Sequence, residues 1–159
     1  MALLRLFEFR RDRQSVRVTG RIVPHPSQRV EERPWVSITI TNVGRRPIQL
    51  RDLGVVRGRG EKAVVGSDIG VNPRLDEGQE VGVTPRPAGL FGEDVGARTV
   101  YVEDTHGRAW AMPSRAFRRL RDEYRLAVAT SDAARKQKEL ADNRKWFSEV
   151  VRDTQTSGE

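Results

Sequence analysis

The chain has 159 residues, enough for one domain with an appendage, and a hydrophobic fraction of 36% supports one modest core. Charged residues make up 32% and the formal charge is +7, so part of the chain is expected to be solvated or to meet an acidic partner. There is no cysteine, which excludes a disulfide scaffold, a thiolate nucleophile and any cysteine-ligated metal.

The first residues, MALLRLFEFRRDRQ, carry an apolar stretch interrupted by Arg5 and Glu8. That is too short and too charged for a secretory leader, and the chain contains no run of about 20 apolar residues that would span a bilayer. The expected location is therefore the cytoplasm, or a virion or similar particle assembled there, with no membrane role. Residues 1–14 read as an N-terminal docking segment outside the strand pattern, with Leu4, Leu6 and Phe7 as its contact residues.

Residues 15–23 place Val16, Val18 and Ile22 at alternating positions, a half-buried strand with an irregularity at Gly20. Pro24, Pro26 and Pro34 mark a loop. Residues 35–42 are the clearest strand: Val36, Ile38 and Ile40 face one way, Ser37, Thr39 and Thr41 the other. The run 42–47, NVGRRP, then turns. A phosphate-binding loop needs glycines that open onto a helix N-terminus; here the glycine leads to a proline and a strand, so the run reads as a corner with Arg45 and Arg46 exposed.

Ile48, Leu50 and Leu53 begin the next strand, which runs to Val56, and GRGEK turns the chain again. Residues 63–65 form a short edge strand, 66–79 a loop, and 80–84 another strand with Val81 and Val83. Residues 85–96 are the longest irregular piece, with Leu90 and Phe91 exposed or tucked beneath it. Val100 and Val102 oppose Tyr101 on a strand that DTHG, residues 104–107, turns into a hairpin, and residues 109–112 return.

Short strands separated by Gly, Pro, Asn and Asp turns, with no helical pattern between them, predict an antiparallel β-sandwich over 15–113. From Ser114 the period changes. Phe117, Leu120, Tyr124, Ala127 and Val128 recur at helical spacing. Thr130, Ser131 and Asp132 read as a break and a new cap, so two C-terminal helices are expected over 114–153, followed by a disordered tail, 154–159. Trp146, Phe147, Val150 and Val151 gather late on the second helix. A helix this polar rarely folds alone, so they join Leu4, Leu6 and Phe7 as expected partner-docking residues.

Chemistry-bearing groups are sparse. His25 and His106 lie in separate loops, no metal-ligand spacing occurs, and no Ser–His–carboxylate set is suggested. Glu93, Asp94 and Asp104 lack the donor alternation of a calcium loop and read as solvated loop carboxylates. The chain is read as a non-enzyme with no cofactor. Arg115, Arg118, Arg119, Arg121 and Arg125 crowd the first C-terminal helix against Asp122 and Glu123, which is the footprint of a nucleic-acid contact as well as of a solvated basic face.

The runs SITITNVGRRPIQLRDLGVV, LDEGQEV and VYVEDTHGRAWAMP together resemble an immunoglobulin-like module found in small proteins of high-GC bacteria and their phages. The resemblance covers residues 15–113 and rests on turns and core positions. It implies an immunoglobulin-like sandwich that carries no catalytic residue. It also implies a structural role, decorating or linking virion proteins; the two apolar appendages, at the N-terminus and on the last helix, point to other protein chains as partners in a homo-oligomer or larger assembly. The alternative is a nucleic-acid-binding accessory protein that uses the helix arginines.

Overall fold

The computed structural model describes residues 14–156 apart from 31, 67–72 and 93–95, with side chains described as far as Trp146. The chain is mainly β. Strands β1 (Val16–Val23), β2 (Trp35–Asn42), β3 (Ile48–Val56), β4 (Lys62–Gly66), β5 (Arg74–Leu75), β6 (Glu80–Val83), β7 (Thr99–Asp104) and β8 (Ala109–Ala111) are joined by a short helix α1 (Pro87–Phe91) and followed by α2 (Ser114–Thr156). The contacts divide the residues into two compact units, 1–23 with 35–124, and 24–34 with 125–159.

The first unit holds two sheets, ordered β1-β2-β6 and β4-β3-β7-β8, with β5 pairing against the start of β3. Every pairing is antiparallel. The alternation read from residues 35–42 is the observed one: Val36, Ile38 and Ile40 are fully buried while Ser37, Thr39 and Thr41 are half-buried on the other face. They meet Ile48, Leu50, Leu53, Val55, Val100 and Val102 of the other sheet in a single core. In β3 the inward positions run 48, 50 and then 53, 55. Register shifts between Leu50 and Asp52 and between Leu53 and Gly54 absorb the odd residue, which is why IQLRDLGVV alternates imperfectly.

The NVGRRP corner carries the chain from β2 in one sheet to β3 in the other. Arg45 and Arg46 are exposed, as expected of a corner. It is held by Asn42, whose buried Nδ2 donates to Arg46 O and Leu75 O, both at 2.9 Å, while its Oδ1 accepts from Gly44 N at 3.0 Å. The side chain therefore shapes the turn, and Gly44 is not among the positive-φ residues.

Other local expectations change. The loop 66–79 contains β5, whose Leu75 is buried against Ile48. The irregular piece 85–96 contains α1, started by Pro87, and its Leu90 is buried. Gly20 causes no register shift; β1 and β2 pair without interruption from Val16 to Val23. A Cβ there would stand 2.5 Å from Leu120 Cδ2, so this glycine is a point of close approach to α2.

The largest correction concerns the C-terminus. One helix, not two, runs from Ser114 to Thr156. It contains neither Gly nor Pro, and the two residues read as a break are accommodated: Thr130 Oγ1 donates to Leu126 O at 3.0 Å and Ser131 Oγ to Ala127 O at 3.1 Å. A hydroxyl that bonds to the carbonyl four residues back satisfies itself inside a helix instead of capping a new one. The helix also continues through residues 154–156, which had been assigned to the tail.

In the second unit, loop 24–34 lies against this helix. Ser131 is 6% exposed and its hydroxyl also donates to Glu32 O at 3.1 Å; Arg33 pairs with Asp132 at 3.5 Å.

Candidate docking face on the C-terminal helix

The start of α2 belongs to the core of the first unit. Phe117 and Leu120 are buried, and Phe91 from α1 stacks against Phe117 and Tyr124 with ring centroids 5.7 and 5.0 Å apart. Between β1 and this part of the helix lies a groove of about 520 Å³, floored by Val18, Gly20, Met112 and Leu120 and edged by Arg17, Arg119 and Glu123.

The five arginines expected on one basic face divide. Arg115, Arg118, Arg119 and Arg125 are exposed, but Arg121 flanks the buried stripe and its side chain is only 31% exposed. Arg119 pairs with Glu123 at 2.9 Å across one turn, and Arg121 lies 3.9 Å from Asp122. Intrahelical pairing spends part of the positive charge that a phosphate backbone would require.

Farther along, the helix turns almost everything to solvent. Leu126 is 72% exposed, Leu140 53% and Trp146 58%. Phe147, Val150 and Val151 lie on the same helix with side chains outside the described residues, and Leu4, Leu6 and Phe7 fall outside the described residues altogether. Of the expected docking residues the structure thus describes Trp146 and finds it exposed. Leu126 had escaped notice because it falls between the apolar positions counted for the inward stripe; its signal is the spacing of seven to Ala133 and again to Leu140.

The second sheet carries a polar cluster built on β3, β4 and β7. Glu103 bridges Arg51 and Lys62, the latter at 2.9 Å, and Arg51 also holds Asp52 at 2.7 Å. Lys62 Nζ lies 5.0 Å from the centre of the Tyr101 ring, which packs across Gly54. Burial pushes the Tyr101 hydroxyl above its ordinary value of 10.0, Glu103 adds to the rise, and Lys62 opposes it. These charges neutralise one another within the sheet.

Asp104 proves not to be a solvated loop carboxylate. It is buried, and its Oδ1 accepts from His106 N at 2.9 Å and Arg108 N at 2.8 Å, building the DTHG hairpin with Gly107 at φ 77°. Glu93 and Asp94 lie outside the described residues. His25 Nδ1 accepts from Ser27 N at 3.2 Å and lies 2.8 Å from Ser27 Oγ, contacts that close the turn leading to Gln28 at φ 55°. Among the described residues no helix is long and apolar enough to cross a membrane.

No protein-family model and no curated protein matches the chain. Solved structures similar to part of it include two from structural genomics. One is the crystal structure of a Bordetella pertussis protein assigned as ApaA, 22% identical, with a TM-score of 0.31, covering 64% of this chain and 87% of that one. The other is the X-ray structure of a Northeast Structural Genomics Consortium target, SoR45, 17% identical, with a TM-score of 0.24, covering 62% of this chain and 79% of that one. At TM-scores this low neither likeness bears on fold or function.

Proposed function

We propose that the chain is a non-enzymatic interaction protein, a rigid immunoglobulin-like body bearing a docking helix, which serves as a decoration, linker or connector component of a phage or phage-like particle. The observation that carries the docking reading is the exposure of Leu126, Leu140 and Trp146 on a helix whose Phe117 and Leu120 belong to the core. Leucines left in water on a folded element gain free energy when a second surface covers them.

The immunoglobulin-like part of the reading is supported by strand order. Lettered in sequence, β1, β2 and β6 correspond to A, B and E, and β4, β3, β7 and β8 to C′, C, F and G, close to the two-sheet division of that fold type; β5, in the place of D, departs from it by pairing with β3. The particle role rests on the resemblance of residues 15–113 to modules of phage-borne proteins.

Light scattering of the full chain at about 50 and about 500 mM salt, with and without a random DNA duplex, tests the reading, because salt screens phosphate contacts and spares apolar ones. A mass above 18.0 kDa that ignores both salt and DNA is expected. A monomer that gains mass only with DNA at low salt overturns docking in favour of nucleic-acid binding.

A further inference from the structure

We propose that the groove between β1 and α2 is a strand-accepting site, and that its occupant is the chain's own N-terminal segment, residues 3–9, added to the free edge of β1 as an antiparallel strand.

The site lies wholly in the first unit. β1 ends its sheet, and among the described residues no strand pairs with its outer side. The register tells which backbone groups face that side. Val43 N donates to Ser15 O at 2.9 Å, and Ser15 stands opposite Val43 by continuation of the β1–β2 register. Bonded pairs alternate along an antiparallel ladder, so Arg17, Thr19 and Arg21 direct their N–H and C=O groups to β2. Val16, Val18, Gly20 and Ile22 turn theirs outward. This edge is eight residues long, with no proline and no bulge against β2, which makes it a template for another strand.

The groove of about 520 Å³ follows the edge: residues 17–20 line it in succession, and Ala116, Arg119 and Glu123 of α2 stand across from them. An extended peptide in such a groove pairs its backbone with the edge and sinks alternate side chains into the floor.

Thirteen residues precede Gln14, whose side chain is tied to Pro47 O at 3.2 Å and to Arg108, beside the start of β1. Residues 10–15, RRDRQS, are polar and suit a hairpin loop. The seven residues before them, LLRLFEF, match in length the seven from Val16 to Ile22. Phe9 then falls opposite Val16, Phe7 opposite Val18 and Arg5 opposite Gly20.

Polarity and charge choose this phase. Opposed residues share a face, so Phe7 and Phe9 join Val16 and Val18 on the side of Met112 and Leu120. Glu8 meets Arg17 on the outer face, where Leu6 lies beside Thr19. Arg5 crosses Gly20, where Leu120 makes its close approach, one helical turn from Glu123. A slip of one residue would turn Glu8 into the groove and bring Arg5 onto the face of Arg17 and Arg21.

Amide hydrogen exchange of the full chain, read by NMR, tests the site. With the strand in place, the Val18 and Gly20 amides should exchange as slowly as those of Thr19 and Arg21, about a hundredfold or more below the rate of a free edge. Phe7→Glu sets a carboxylate against the apolar floor and should return Val18 and Gly20 to free-edge rates, while Thr19, Ile38 and Val102 keep theirs. Free-edge exchange in the wild type overturns the proposal. Protection that survives Phe7→Glu also overturns it, since another group then covers the edge. The chain has no cysteine, so paired cysteines report which chain supplies the strand. Glu8→Cys with Arg17→Cys occupies a non-bonded cross-strand pair, where Cα atoms approach to about 4.5 Å, and should close a disulfide within one chain under mild oxidation. Arg5→Cys with Arg17→Cys, on opposite faces, should stay open. A disulfide-linked dimer from the first pair assigns the strand to a second copy and overturns the chain's own segment; a first pair that stays open overturns the hairpin.

Discussion

Gly20 exists to let Leu120 in. A methyl group at Gly20 would meet Leu120 Cδ2 at 2.5 Å, Ile38 Cδ1 at 3.1 Å and Met112 Cε at 3.2 Å, so this is where the helix is seated against β1. Gly20→Ala should destabilise the chain by about 1–3 kcal/mol through overpacking. Leu120→Ala alone should cost about 2–5 kcal/mol. Because the added methyl fills space the leucine vacates, the double variant should lose less than the sum of the two. Urea denaturation of all four proteins gives the coupling energy; strict additivity would separate the two residues.

Asn42 supports a second prediction. Replacing it with Ala removes three hydrogen bonds at a buried corner, although Gly44 N keeps Ser15 O at 3.2 Å, and the loss should cost about 1–3 kcal/mol. Asn42→Asp should be nearly as harmful although it is isosteric, because a carboxylate cannot donate to Arg46 O and Leu75 O. A thermal melt of Asn42→Asp close to wild type would remove the corner from this role.

Tyr101 gives a pH dependence. Its hydroxyl titrates higher in the folded chain than in the unfolded one, chiefly through burial. Above pH 10 the unfolded chain releases the proton first, so the stability linked to this group is complete below that pH and is lost as pH rises towards the folded value. Lys62→Met removes the cation that opposes the rise and should move the titration further upward. Ultraviolet absorbance of the phenolate, followed alongside stability at alkaline pH, checks both statements.

The exposed arginines yield a prediction that separates charge from docking. Arg115→Glu with Arg118→Glu should leave both the mass in solution and the melt unchanged, since neither side chain is buried. Where duplex DNA binding is seen at all, each lost phosphate contact should reduce the salt slope of log K by about 0.9.

The sheets were legible because each strand's burial follows its own side-chain alternation: Val36, Ile38 and Ile40 announce the core without reference to any other segment. Elements with too few residues to show a period were not. β5 is two residues long and exists because Leu75 pairs with Ile48, and α1 is a single turn defined by Pro87 and the burial of Leu90. The helix was split at Thr130 and Ser131 because hydroxyls there cap helices as readily as they bond back to them; loop 24–34, far away in sequence, supplies Glu32 O to Ser131. For the docking face, the late cluster at Trp146 stood out by side-chain size, whereas Leu126 needed the knowledge that Ser131 marks the covered side.

The corner at Asn42 also imposes an order of events. Its bonds to Gly44 and Arg46 close within a few residues, but the bond to Leu75 spans 33. A growing chain can make the local half at once, while the other Nδ2 hydrogen waits until residue 75 has been added and its long loop has closed, an entropic step that local contacts do not share. Asn42 thus works as a latch, with a local half and a half that spans from β2 to β5.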